Sequence, residues 1–188
     1  MSRYGITDFY NTAAQYSFAR TNLFRITEIT NGLYTPSESE DLFLYMRTSS
    51  IPQRKITVNE VKFRNFTYNV PSKATYPDAV GNWQVEFFCD KDYVLKDIFE
   101  KWSVNTFDEH SSTAQNTQWW DTNIVLSLLN NSSTDNSLTE LTPIKQYTLV
   151  GAFPSTIAQV QYDISTKGEI ATLQVNLGFQ YFISETLN

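Results

Sequence analysis

The chain has 188 residues, which suffices for one domain with a substantial hydrophobic core and hardly for two. Apolar residues make up 41% and aromatic residues 15%, a content that excludes a disordered chain and favours a β-rich globular domain. The net charge of −6, from 20 acidic and 14 basic side chains, argues against tight binding to nucleic-acid phosphates.

The pattern along the chain predicts a mainly β fold, an antiparallel sandwich or barrel with one packed helix, as a single domain over 1–188. Residues 1–20 show no clear hydrophobic period and are predicted to form an N-terminal arm. Strands are predicted at 22–30, 42–48, 54–58, 61–70, 83–89, 122–129, 144–153 and 168–183. Residues 105–142 are rich in Ser, Thr, Asn and Gln, and long polar loops are expected there around one strand.

Basic and aromatic side chains alternate along residues 51–77, a segment that Pro52 separates from the preceding strand. The bases considered are Arg54, Lys55, Lys62 and Arg64. Such interleaving is also found on nucleic-acid-binding surfaces, but four bases on an acidic chain are few. We therefore expect an exposed hairpin whose bases meet acidic surfaces of another protein. Residues 71–81, with two prolines and a glycine, are predicted to be a loop.

The one helix that the pattern predicts covers about residues 92–106. Apolar side chains recur at helical spacing on one side of it, and mostly charged ones occupy the other. The apolar residues are Val94, Leu95, Ile98, Phe99 and Trp102. Asp90 or Asp92 is expected to cap the first turn through a side-chain oxygen.

The last predicted strand, 168–183, has the clearest pattern. Its odd positions are Ala171, Leu173, Val175, Leu177, Phe179, Tyr181 and Ile183, whereas its even positions are Thr172, Gln174, Asn176, Gly178 and Gln180. A period of two predicts one buried face and one wet face. At roughly 3.3 Å per residue the strand would extend about 50 Å, which suits a wall shared between subunits.

Two residues invite a search for chemistry. Cys89 is predicted to be a small buried hydrophobe, because it shares a strand face with Trp83 and Val85 and has Asp90, not a base, beside it. His110, the only histidine, lies in a polar stretch, and a zinc site needs three or four ligands. Glycine-rich phosphate-binding motifs and a nucleophile elbow do not occur in the sequence. We predict no catalytic residue, metal site or cofactor, no secretory signal and no membrane span.

Trp119 and Trp120 are adjacent in a polar stretch, so they cannot both point inward from a strand. One of them is expected to contact a partner or to pack beneath a loop. A carbohydrate-binding sandwich that uses this pair is therefore one alternative function. A hydrolase is another, because carboxylates paired in space are not visible in a sequence.

Four stretches carry a resemblance to a known family. They are Phe18–Glu28 with "AR-x-NLF", Ile51–Val58 with a proline-marked entry into a protruding loop, Tyr76–Trp102 ending in "F-x-x-W", and Val150–Thr156 with a "G-x-(F/W)-P" corner, followed by Asp163 and a long terminal strand at 169–182. In order and spacing they resemble the tail tube proteins of contractile-tailed bacteriophages. That family also includes tube-initiator proteins of baseplates and tube proteins of secretion systems, and the likeness does not choose among them.

The resemblance implies a structural virion protein without enzymatic activity, made in the host cytoplasm. It implies stacked hexameric rings whose strands join into one barrel around a channel. DNA would pass through this channel transiently and without specific binding. The implied partners are further copies of the chain and the tail sheath, baseplate and tail terminator proteins.

The resemblance also implies roles for the residues singled out above. Segment 51–77 becomes the ring-stacking loop, with Pro52, Arg54, Lys55, Lys62 and Arg64 as its candidate contacts. Candidates for the channel or for contacts between subunits are Glu86, Gln174, Asn176 and Gln180. Candidates for outer or partner contacts are Trp119 and Trp120.

Overall fold

The computed structural model describes residues 5–16, 21–30, 45–107, 122–130, 142–162 and 168–187. The α-helices in these ranges are α1 (Ile6–Tyr16) and α2 (Val94–Thr106), and a short 3₁₀ helix spans Pro77–Ala79. The strands are β1 (Phe24–Thr30), β2 (Met46–Ser49), β3 (Lys55–Phe63), β4 (Phe66–Thr75), β5 (Trp83–Phe88), β6 (Asn123–Leu129), β7 (Pro143–Val150), β8 (Phe153–Ile157), β9 (Thr172–Gly178) and β10 (Tyr181–Thr186). The predicted mainly β, antiparallel class is confirmed.

The strands form three antiparallel sheets. The first sheet has the order β1-β6-β7-β10, and the second has the order β2-β5-β9-β8. Strands β3 and β4 form a separate hairpin. The expected ribbon is present, but its predicted strand bounds are wrong, because β3 continues through residues 59–60 and the turn at residues 64–65 interrupts the strand predicted at 61–70.

The first and second sheets share one hydrophobic core. Side chains from both sheets lie fully buried in it, among them Trp83, Val85 and Phe87 from β5, Ile124 and Leu126 from β6, and Leu173, Val175 and Leu177 from β9. Complete burial of one such side chain contributes roughly 1.5–3 kcal/mol to the free energy of unfolding. The core is therefore the main source of stability for the two sheets that surround it.

Helix α2 closes this core, as the sequence predicted. Its residues Leu95, Phe99 and Trp102 are buried, and the Phe99 ring lies 5.6 Å from that of Phe87. The Asp90 carboxylate accepts hydrogen bonds from the N–H groups of Val94, at 2.9 Å, and Leu95. Asp90 thus satisfies two amides that a helix start leaves without an internal partner. Of the two candidate capping residues, it is the one that caps.

The N-terminal arm contains a helix that the prediction missed. Helix α1 begins after Gly5, whose N–H donates to the Asp8 carboxylate at 2.8 Å. This hydrogen bond, between the N–H of the residue before the helix and the side chain of the third helical residue, is one of the two bonds of a capping box. Ile6 and Tyr10 lie one turn apart on the helix and are both exposed. The prediction of a single helix, over about residues 92–106, is therefore wrong, whereas a role of residues 1–20 as an arm stays a prediction.

The terminal strand is not one strand of about 50 Å. Residues 173, 175, 177 and 179 are buried as predicted, but β9 ends at Gly178 and β10 belongs to the other sheet. Between them, the Phe179 N–H donates to the carbonyl of Ala79, outside the sheets, and the Gln180 N–H donates to the carbonyl of Val150 in β7, the strand that β10 joins. The alternation of buried and exposed side chains also shifts by one residue in β10, because Phe182 packs on the core while Tyr181 and Ile183 are exposed.

The strand predicted at 144–153 divides in the same way. β7 ends at Val150, Gly151 takes a positive φ of 64°, and β8 starts at Phe153 in the second sheet. A positive φ is a conformation that glycine adopts without steric cost, so Gly151 provides the corner between the sheets.

Pro71 does not end its strand, contrary to the prediction of a loop over 71–81. β4 continues to Thr75, with Pro71 opposite Val58 beside an irregularity in the register. A proline is tolerated there because each strand of a two-stranded hairpin has an unpaired edge. Most of the polar region 105–142 lies outside the described residues, as do His110, Trp119 and Trp120.

Candidate functional site

The face of the second sheet that points away from the core is polar. Its side chains alternate with the buried ones along each strand and come from Thr48, Gln84, Glu86, Phe88, Thr156, Thr172, Gln174 and Asn176. We call these residues the polar face. All but Glu86 are uncharged at neutral pH, and all but Phe88 are polar.

Glu86 is held in place by neighbours on β2. Its carboxylate accepts hydrogen bonds from Arg47 Nη1 at 3.1 Å and from Thr48 Oγ1 at 3.2 Å, one on each oxygen. The Arg47 guanidinium also lies 5.6 Å from the centre of the Phe88 ring. The one carboxylate of the polar face is therefore paired with a cation, which lowers the local net charge.

Gln174 and Asn176 lie on this face, and Gln180 does not. Gln174 is directly opposite Glu86, and its Nε2 lies 3.4 Å from Asn176 Oδ1. Gln180 follows the end of β9 at the crossing between the two sheets, where it is exposed. Three of the four predicted channel candidates are thus brought together. Their assignment to a channel stays a prediction.

An open concavity of about 390 Å³ adjoins the polar face. Glu86, Gln174, Glu169 and Tyr162 are among its lining residues. Within the described ranges no group of three or more potential metal ligands occurs.

The hairpin is exposed on both faces along almost its whole length. Residues opposite each other in an antiparallel pair share a face, so the register assigns each side chain to one side. One face carries an apolar cluster near the turn, formed by Val61, Phe63, Phe66, Tyr68 and Val70. We call these five residues the tip patch.

The predicted stacking residues do not form one cluster. Pro52 is buried before the hairpin, and Arg54 and Lys55 are exposed at its base. Lys62 and Arg64 lie at the other end, beside the turn, where Arg64 has a positive φ of 54°. A role of these residues in stacking stays a prediction.

Cys89 is half-buried and packs against the core. Burial raises the pKa of its thiol above the usual value, and the neighbouring Asp90 carboxylate raises it further, while Lys96 lowers it. A raised pKa reduces the thiolate fraction at neutral pH, which is the opposite of what a nucleophile needs. The interpretation of Cys89 as a packing residue agrees with this environment.

Sequence reasoning missed two parts of these surfaces. Arg47 was not linked to Glu86, because the pairing of β2 with β5 joins residues far apart in the chain. The tip patch was seen only as aromatics among bases, because the strand predicted at 61–70 runs through the two-residue turn, Arg64–Asn65, that sets the register of the hairpin.

The described helices include none that is both long and apolar enough to cross a membrane.

A comparison with protein-family models gives a match that covers most of the chain. The model, described as phage tail tube protein, matches residues 11–185. The chain therefore belongs to the phage tail tube protein family, as the resemblance in its sequence predicted. This is a family of structural proteins and not of enzymes. Among curated proteins, none matches the chain.

Solved structures of contractile injection systems contain chains of similar fold. A chain of the tube-terminating cap of the anti-feeding prophage is 15% identical, with a TM-score of 0.58 over 90% of this chain and 91% of that one. A chain of the sheath-tube complex of the extracellular contractile injection system PVC is 12% identical, with a TM-score of 0.52 over 94% and 97%. A chain of the PVC sheath/tube terminator is 12% identical, with a TM-score of 0.57 over 89% of this chain and 96% of that one. At these identities the likeness concerns the fold.

Proposed function

We propose that the chain is the subunit of a phage tail tube, in which stacked hexameric rings enclose a channel for DNA. The observation that carries this proposal is the polar face of the second sheet. It is uncharged apart from Glu86, whose carboxylate is compensated by Arg47. As a channel wall it offers DNA phosphates few cations to bind, so DNA slides past without being held.

The edges of the second sheet support closure into a ring. Among the described residues, β2 is hydrogen-bonded only to β5 and β8 only to β9, so each has one edge without a strand partner, and α2 packs against β8. Exposed strand edges favour pairing with other chains. If β2 of one subunit pairs with β8 of the next around a rotation axis, six copies close into a continuous barrel. The polar face then lines the barrel on its inner side.

The hairpin supports stacking of the rings. It projects from the two-sheet core, and its apolar residues have little burial within the chain. The similar chains belong to a sheath-tube complex, to tube terminators and to a baseplate, which supports a sheath, a terminator and a baseplate as partners. The protein is then a virion component, made in the host cytoplasm, with no catalytic turnover.

Electron microscopy of the purified protein tests the proposal. Negative-stain images are expected to show rings or tubes about 10 nm across, on the scale of six domains of roughly 30 Å around an opening. Monomers at high protein concentration, both alone and with baseplate proteins, would contradict it.

A tube terminator, a tube initiator or a secretion-type tube subunit is the second candidate, since similar chains occur in caps as well as in tubes. The length of the assemblies in the same images distinguishes these candidates from a main tube subunit. A main tube subunit grows into tubes, whereas a terminator or initiator gives single or paired rings.

Trp119 and Trp120 lie outside the described residues, and a glycan array with a Trp120→Ala control tests the carbohydrate-binding alternative.

A further inference from the structure

Helix α2 lies at the edge of the second sheet, over the strand that the proposed ring joins to the next subunit. It packs against β8, and no described strand of the first sheet packs as closely against it. Its buried residues are Leu95, Phe99 and Trp102. The Phe99 ring lies 5.6 Å from the ring of Phe87, which points from β5 into the core. α2 therefore lies on the core side of the second sheet, in the same layer as the first sheet.

A ring that closes through the second sheet has two layers of unequal circumference. With the polar face lining the channel, the second sheet is the inner layer, and the first sheet lies about 10 Å further out, the usual distance between packed sheets. An increase of about 10 Å in radius lengthens any circle by about 63 Å, which is about 10 Å for each of six subunits. Yet each subunit supplies four strands to either layer. The outer layer is therefore too short by about 10 Å per subunit.

One α-helix has the width of this gap. With its side chains, an α-helix measures about 10–12 Å across. α2 has 13 residues, so at about 1.5 Å per residue it is about 20 Å long, similar to a strand of six residues. Because β8 is an edge strand of the second sheet, α2 lies at the boundary between two subunits and not over the middle of one.

The start of β1 is the part of the neighbouring subunit that faces this gap. A small apolar groove of about 280 Å³ is lined by residues at the start of β1 and at the end of β2, among them Thr21, Leu23, Phe24, Ser49, Ser50 and Ile51. β1 therefore begins beside β2, the strand that the proposed ring pairs with β8 of another copy. β1 is also an edge strand of the first sheet, hydrogen-bonded only to β6 among the described strands.

The side of α2 that points away from the core carries exposed apolar surface. Val94 and Val104 expose 38% and 60% of their surfaces, and Phe107, directly after the helix, exposes 54%. Val104 and Phe107 are three positions apart, the spacing at which residues share one side of a helix. Removing this apolar area from water favours contact with another chain.

We propose that α2 completes the outer layer between adjacent subunits of one ring, where its exposed side contacts β1 of the next copy. This inference rests on the proposed function and deepens it, because the inner layer joins by strand pairing and the outer layer by a helix. Two different surfaces of the same chain meet in this contact, and such a heterologous contact closes into a ring when the rotation permits.

The width of α2 then favours a ring of about six subunits. In the same geometry, the gap in the outer layer would be about 16 Å for four copies and about 8 Å for eight, whereas an α-helix measures about 10–12 Å. A gap wider than the helix leaves apolar surface in water, and a narrower gap cannot hold the helix.

Cysteine cross-linking tests the contact. In a Cys89→Ala background, Lys101→Cys on the exposed side of α2 is combined in turn with Asn22→Cys and with Thr30→Cys, which are exposed at the two ends of β1. The matched control combines Lys101→Cys with Ile183→Cys, exposed on β10 at the other edge of the first sheet. Assembled particles, verified by electron microscopy, are treated with a short bismaleimide and separated on denaturing gels.

Covalent multimers that end at the hexamer are expected for at least one of the two β1 pairs. Their yield is expected to exceed that of multimers from the control by about tenfold or more, because the control cysteines do not meet across the boundary between subunits.

A second measurement needs no cysteine. Val104→Glu is expected to raise the protein concentration at which rings or tubes form by about tenfold or more, whereas Ile183→Glu leaves it within about twofold. The two side chains are similarly exposed in the single chain, 60% and 55%, so the melting temperatures of both unassembled variants are expected to match that of the parent.

The results separate the two proposals. Tubes in which neither β1 pair gives more multimers than the control, or in which the multimers continue past the hexamer, would overturn the contact of α2 with β1 and leave the tube intact. Equal effects of the two glutamate substitutions on assembly would overturn it as well. Failure of the unmodified chain to form rings or tubes under any condition would remove the proposed function and this contact with it.

Discussion

The hairpin and the second sheet are both antiparallel, yet they are stabilised in different ways. The second sheet buries one face against the core, with Trp83, Val85 and Phe87 completely inaccessible. The hairpin has no buried face, and its apolar side chains are about half exposed or more. An isolated two-stranded hairpin is at best marginally stable in water. The comparison teaches that this chain buries some of its apolar side chains in the core and leaves others exposed on the hairpin.

The largest expected effect is the difference in stability between a substitution in the core and one on the exposed hairpin. Phe87→Ala, in the core, is expected to lower the free energy of unfolding by about 3–5 kcal/mol, because it leaves a cavity. Phe63→Ala, on the tip patch, is expected to change it by less than about 0.5 kcal/mol. Urea unfolding of the unassembled protein measures both. Similar losses for the two variants would break the comparison.

The crossing from the second sheet to the first is expected to be the next most sensitive point. A Cβ added at Gly178 would lie 2.7 Å from the Phe153 ring, closer than atoms can approach. Gly178→Ala is therefore expected to cost about 1–3 kcal/mol of stability, through overpacking. Thermal unfolding checks the loss, and Phe153→Leu in the same chain should restore part of it. A Gly178→Ala variant as stable as the parent would contradict the close packing.

The ion pair on the polar face is expected to have little effect on folding. Glu86→Gln removes its charge, but the Arg47 side chain is 49% exposed, and pairs so exposed contribute at most about 1 kcal/mol. Chemical unfolding is expected to show a loss below that value, and smaller still in 1 M salt. A loss of several kcal/mol would contradict this expectation and would mean that the pair of Glu86 with Arg47 stabilises the sheet.

The smallest expected effect concerns Cys89, which follows β5 and packs against the core. Its thiol pKa is raised by burial and by Asp90, so the thiolate forms only as the pH passes above the ordinary value of 9.0. The rate of alkylation by iodoacetamide is expected to have its midpoint above pH 9.0 in the folded protein and at a lower pH in urea. The free energy of unfolding depends on pH for the same reason. Because the folded protein holds the thiol proton more tightly than the unfolded chain does, stability decreases as the pH rises through this range. A folded-state midpoint below 9.0 would contradict the packing role.

The elements with strict periodicity were predictable from the sequence. The inward residues of β9 and the apolar side of α2 follow directly from periods of two and of helical spacing. The break at Gly178 was not predictable, because the alternation in the sequence continues past it to Ile183 while the chain changes sheets. Helix α1 was missed because its polar and aromatic residues carry little core signal.

The candidate site was predictable only in part, for a physical reason. Gln174 and Asn176 lie on the strand whose alternation is visible in the sequence, so their shared face was expected. The partner of Glu86, Arg47, is set by pairing between β2 and β5, which local patterns do not encode. A small apolar groove between the first and second sheets likewise brings together residues near 23, 50 and 127, and only the folded chain shows that they are neighbours.

A reconstruction of assembled particles by electron cryomicroscopy tests the central claim most directly. The account predicts hexameric rings in which Gln174 and Asn176 face the channel and hairpins bridge successive rings. Tubes in which the polar face of the second sheet points outward, or a purified chain that stays monomeric at every concentration, would contradict it.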